Sequence, residues 1–267
     1  AFSFLFSFIK IFVFCFAATA VFGSTSATTT LANNGTTTLT GAASVNTINN
    51  AGALTVTSTV DGVAGSGADT TINLTATDAS VLFNGTTALA YDMVIAAGTD
   101  GFGTINFIDS ADNAASTNTT AGGDIGANTL KVGTINIGSA TKAGNLTTIA
   151  GDLIFASAIN VTGGDATAEA SALDIAASIG DADDLVAIVL DDNAGNAMLD
   201  IGATASIFGT IDGSATAGAG TSRIDANAAT TFEGNIGENN AVEELEIGAA
   251  SNLKGAIVTA TATNFDA

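Results

Sequence analysis

A short phrase recurs in this chain. It reads Gly123-Asp124-Ile125-Gly126-Ala127-Asn128, followed by Val132-Gly133-Thr134-Ile135-Asn136-Ile137-Gly138. It returns as Gly234-Asn235-Ile236-Gly237-Glu238-Asn239, followed by Val242-Glu243-Glu244-Leu245-Glu246-Ile247-Gly248. A third fragment, Asp200 to Ile211, aligns without a gap on Glu246 to Ile257. Degenerate repetition of strand-like units constrains a chain to stack its repeats, because one unit alone cannot bury its apolar face. A phosphate cradle would need a strand, a glycine turn and then a helix, whereas the residues after Gly126 and Gly237 read as another strand. The glycines are therefore expected to turn corners. Ile125 and Ile236 are expected to be buried at equivalent positions of their coils.

The residue choice supports stacking. The 267 residues include no Pro, no His and no Trp, where average usage would supply about 13 prolines. A chain without Pro keeps every backbone N–H available to a ladder, and Gly and Asn then make the turns. Short runs rich in Thr, Val, Ile and Phe, such as Thr71 to Thr75, Gly103 to Ile108, Val132 to Ile137 and Leu185 to Leu190, are separated by Gly, Asn, Asp and Ser, which reads as all-β. Thr-Ile-Asn occurs at 47–49, 71–73, 104–106 and 134–136, and Thr-Ile-Asp at 210–212. Such unequal separations fit an irregular parallel β-helix with coils of roughly 20 to 30 residues rather than a strict short-period helix. In each triplet Ile is expected to point inward, with Asn side chains laddering outside at the roughly 4.8 Å rung spacing. The spacing predicts about ten coils.

Along the chain, residues 1–23 read as a signal peptide. A lone Lys10 precedes the apolar run Ile11 to Ala17 and then Ala18-Thr19-Ala20, and the run is shorter than the roughly 20 residues of a spanning helix. Residues 24–60 form an uncharged Thr/Asn-rich region or cap, whose composition before about residue 36 also allows a disordered linker. The β-solenoid repeats occupy 61–267, with the pattern expected to continue past residue 267. Asp165 to Ser178 allows two readings, a short helix capped by Asp165 and Gly180 or a loop plus a strand of small residues.

Charge restricts the partners. Twenty-six acidic residues against five basic ones give a net charge of −21, which repels nucleic acid and anionic lipid, so neither nucleic acid binding nor membrane insertion after signal removal is expected. Without His, and with Cys15 inside the signal segment, neither a Ser-His-Asp constellation nor a His/Cys zinc site can be built. Asp191-Asp192 and Arg223 are the residues a polysaccharide-active enzyme would have to use, but with almost no sugar-stacking aromatics catalysis is not expected. Calcium is the better ligand for so acidic a chain. Its candidates are the cluster Asp181, Asp183, Asp184, Asp191, Asp192 and the single Gly-x-Gly-x-Asp turn ending at Asp69. For both, solvated turn carboxylates remain the plain alternative. Six N-x-[ST] sequons follow from the Asn and Thr content and carry no function.

The phrases Gly103-Thr104-Ile105-Asn106-Phe107, Gly123-Asp124-Ile125-Gly126 and Thr231-Phe232-Glu233-Gly234-Asn235-Ile236-Gly237 resemble the passenger repeats of bacterial autotransporters and haemagglutinin-like adhesins, Rickettsia-type outer-membrane surface antigens among them. The resemblance implies a right-handed parallel β-helix, secreted or displayed on the bacterial outer membrane exterior. It implies an adhesive or structural role toward a cell-surface glycan or protein, or toward itself, and transfers no catalytic residue. The alternatives are a self-assembling surface-layer or filament subunit and, less favoured, a β-helical polysaccharide-active enzyme.

Overall fold

The computed structural model describes residues 14–15, 19–22, 25–39, 43–57, 60–61, 70–84, 89–108, 117–149, 151, 153–216, 218–257 and 260–265. Most of the expected signal segment and Asp69 lie outside the described residues. Within that segment the backbones of Phe14–Cys15 and Thr19–Phe22 are strands, each paired in parallel with the next rung.

The described residues form an all-β solenoid. The strands lie in a long sheet of 13, a middle sheet of nine and a short sheet of five. Every strand pair is parallel, so each rung supplies the backbone donors and acceptors of the next. Coil length varies, as the unequal triplets require: hydrogen-bonded side chains on neighbouring rungs are 17, 24 and 30 residues apart.

Two core columns run through the stack. In the first, Leu31, Ile48, Ile72 and Ile95 are in register on the long sheet. At the strand Leu89–Ala97 the stack forks. Leu89 to Asp92 pair onward within the long sheet, while Ile95 bridges to Ile125 and on to Ile154, Ile179, Ile207 and Phe232 in the short sheet. In the second column Leu54, Val81, Ile105, Ile135, Ile159, Ile188 and Ile211 stack along the middle sheet. All of these residues are at least 95% buried. Beside them the buried rings of Phe83 and Phe107 stack at 4.9 Å between centroids, with 14° between their planes.

The Thr-Ile-Asn triplets behave as their period-two alternation demands. Ile48, Ile72, Ile105 and Ile135 are fully buried. Outside, Asn73 Nδ2 donates to Asn49 Oδ1 at 2.9 Å, and Asn160 to Asn136 to Asn106 form a run at 2.8 and 2.9 Å. A second amide stack lies inside a corner. Asn33 and Asn50 are completely buried, with Asn33 Nδ2 donating to Asn50 Oδ1 at 2.8 Å and Asn50 Nδ2 to the carbonyl of Ser80 at 3.0 Å.

Of the two readings of Asp165 to Ser178, the loop plus strand is the one the structure takes: a loop leads into the strand Ser171–Ile175, whose alternate residues are buried. Rungs on both sides, through Leu173↔Thr147 and Leu173↔Leu199, satisfy its backbone and override the helical propensity of its alanines. One expectation, about the opening phrase, is corrected. Ile125 and Ile236 are each 1% exposed, but they are not equivalent. Ile125 belongs to the column that enters the short sheet, bridging Ile95 and Ile154, whereas Ile236 continues the middle sheet, bridging Ile211 and Ile257.

What the two copies share is a corner. Gly126 and Gly237 have φ of +71° and +73°, a conformation that favours glycine. Asp124 Oδ1 accepts from Leu153 N at 3.0 Å, and Asn235 Oδ1 accepts from Ala256 N at 2.8 Å. The phrase therefore encodes a local turn that carries a side-chain cap for the next rung, and the chain uses it at two different corners.

Candidate functional site

The acidic residues of the 181–192 cluster lie at the two ends of one strand. Asp181, Asp183 and Asp184 sit in the turn before the strand Val186–Asp191, and Asp192 directly follows that strand. Seven residues of extended chain separate Asp184 from Asp191 by roughly 23 Å. At the near end, Asp181 Oδ1 accepts from the backbone N–H groups of Asp183 and Asp184, both at 2.9 Å, and Asp181 Oδ2 accepts from Asn128. Asp184 accepts from Thr129 N at 3.1 Å and is paired with Lys131 Nζ at 2.9 Å. The Lys131 hydrogen bond holds the Asp184 carboxyl below its ordinary range, and the same bond raises Lys131.

At the far end, Asp191 accepts from Ser214 Oγ at 2.8 Å, while Asp192 is buried and accepts from Gly218 N at 3.0 Å. Consecutive residues of an extended chain point to opposite sides, so Asp191-Asp192 is two separate turn caps. Among the described residues no three acidic side chains converge to hold an ion.

A second acidic feature lies on the long sheet. On the outer face of the long sheet, Asp174, Asp200, Asp225 and Glu246 stand in register on four successive rungs. Neighbouring rungs are about 4.8 Å apart, so Asp200 feels the charges of Asp174 and Asp225 on either side. Thr148 Oγ1 donates to Asp174 at 3.2 Å, and Asn227 Nδ2 donates to Asp200 at 3.3 Å. Arg223 is the main counter-charge. Its guanidinium donates to Asp225 at 2.9 Å and to Glu246, and lies 3.9 Å from Glu244. Desolvation is the main cause raising Asp200 above the ordinary carboxylate value, with the Asp174 and Asp225 charges adding to it against the Asn227 bond and Arg223. Asp225 Oδ1 is buried and finds no donor among the described residues.

A sequence signal for this ladder existed: Leu173-Asp174-Ile175, Leu199-Asp200-Ile201, Ile224-Asp225-Ala226 and Leu245-Glu246-Ile247 share an apolar-acidic-apolar pattern. The outer face of the middle sheet is its opposite, with Thr, Ser, Ala and Asn in the outward positions of most rungs. No protein family, curated protein or solved structure matches this chain.

Proposed function

We propose that this chain is a non-catalytic β-solenoid, secreted or displayed on a bacterial cell surface, with an adhesive or structural role. The observation that carries the reading is the way the stack uses its polar side chains. Asparagines ladder with their equivalents on neighbouring rungs, and the carboxylates a hydrolase would need cap turns or pair with Lys131 and Arg223. A stack whose polar groups are spent on its own rungs suits a durable extended surface, because solenoid stability accumulates from nearest-neighbour contacts.

Antibodies against the chain, applied to intact cells of the source organism before and after external protease, test its location. Surface labelling that the protease removes is expected; labelling only after lysis overturns the surface role. Beads coated with the chain and offered to cells and glycans test adhesion. Release of sugar ends from acidic polysaccharides by the purified chain would overturn the non-catalytic reading.

A further inference from the structure

We propose that the outer face of the middle sheet is a self-association surface against which a second copy of this chain packs. Such pairing is read as mass in solution and stands whether or not the chain is displayed on a cell. In a chain of net charge −21, the nine strands of this sheet contain two charged residues, Asp191 and Asp212, both in its last two rungs. Both are engaged within the chain: Asp191 accepts from Ser214, and Asp212 is buried and accepts from Asn239 Nδ2 at 2.8 Å.

Upstream of them the outward positions are neutral. Ala53, Ser80, Thr104, Thr134, Ala158 and Ala187 form one column in register. In the column beside it Leu82 and Val189 are apolar and partly exposed. The long sheet carries the opposite surface, the ladder of Asp174, Asp200, Asp225 and Glu246.

This distribution specifies how two copies can meet. Contact through the long sheet would press two carboxylate ladders together, at a Coulombic cost that low salt makes worse. Contact through the middle sheet leaves those ladders out of the interface. The small side chains of the Ala53 to Ala187 column allow the two sheets to approach to the ~10 Å spacing of packed sheets. At one border of the face stand Leu185, 61% exposed, and Leu130, 41% exposed, next to the Lys131–Asp184 ion pair. A partner on the middle sheet would cover these leucines and meet that pair at its rim.

The area suffices. Eight strands, from Thr36–Leu39 to Gly209–Gly213, belong to the face. At about 4.8 Å per rung and five residues of about 3.3 Å, it measures roughly 35 by 17 Å, on the order of 600 Å² per copy. Two copies then bury about 1,200 Å², the lower end of specific, stable interfaces.

Sedimentation velocity on the purified chain is the test. A species of twice the 26.0 kDa chain mass is expected, with its fraction rising as added salt screens the residual repulsion. Ala187→Glu and Leu185→Asp are each expected to weaken the dimer roughly 100-fold or more, with circular dichroism and melting temperature unchanged. Ser206→Glu, on the short sheet, is expected to leave the dimer intact. Leu185 lies in an exposed turn, so Leu185→Asp keeps the test open if Ala187→Glu fails to fold. The proposal is overturned by a monomer at roughly 100 μM at every salt concentration, where an interface of this size would be populated. It is equally overturned by a dimer that ignores both variants, or by a monomer that instead adsorbs to an insoluble neutral polysaccharide.

Discussion

Asn106, Asn136 and Asn160 stand on the middle sheet as Asp174, Asp200 and Asp225 stand on the long sheet, one per rung, outward and in register. The geometry is the same and the chemistry is opposite. A carboxamide both donates and accepts, so each Asn satisfies the next, at 2.8 and 2.9 Å, and the ladder extends without outside help. An ionised carboxylate only accepts. Its ladder has to import donors, which are Thr148, Asn227 and Arg223 here; burial raises the pKa of its second member, Asp200, and the Asp174 and Asp225 charges add to that rise. Parallel stacking therefore multiplies whatever side chain it is given, turning self-complementarity into a stabilising ladder and like charge into a strained one.

The comparison breaks hardest where the amide stack is fully enclosed. Asn50→Asp keeps an acceptor for Asn33 but removes the donor to Ser80 O and places a charge at a site with no solvent exposure. The loss is expected to be on the order of 3 kcal/mol or more, read by denaturant titration; a change within error would mean that the buried amides do not hold that corner. On the carboxylate side, Arg223→Met removes the cation shared by Asp225, Glu246 and Glu244. Because the Arg223 side chain is 30% exposed, the cost is expected to be roughly 1 to 2 kcal/mol, between a surface pair and a buried one. It should shrink at high salt, which screens partly exposed pairs. A loss that does not depend on salt would assign Arg223 a packing role instead.

Much of the core is legible in single triplets, and little of the charged face is. The alternation around Ile48, Ile105 and Ile135 is sufficient to place them inward, since only one face of a strand can be buried. The gapless match of 200–211 with 246–257 is a true structural period. Asp200, Ile201 and Ile207 align through one intervening rung with Glu246, Ile247 and Leu253. The Gly-x-Ile-Gly match misleads because it encodes a corner, and a corner does not specify which sheet it precedes. The acidic cluster of residues 181–192 is close in sequence but divided by a strand, while the Asp174 ladder is spread over coils of 21 to 26 residues and becomes a cluster only when the rungs stack. Register between distant rungs depends on loop lengths, and no single triplet reports those.

The smallest effect tests the ladder most directly. Asp200→Asn replaces a carboxylate by a group that still accepts from Asn227 and relieves both Asp174 and Asp225. A carboxyl whose pKa is raised on folding favours the folded state when protonated. That contribution is complete below the unfolded value near 3.9 and is lost as pH rises through the folded value. The variant is therefore expected to match the parent near pH 3 and to exceed it at pH 7, by less than ~1 kcal/mol because solvent screens a half-exposed ladder. Melting curves of both proteins across that range decide the matter. Since every other carboxylate is common to the two, their difference isolates Asp200 from the repulsion of the whole acidic chain. A constant difference at all pH values would mean that the substitution acts through packing, and that the register of Asp174, Asp200 and Asp225 carries no electrostatic strain.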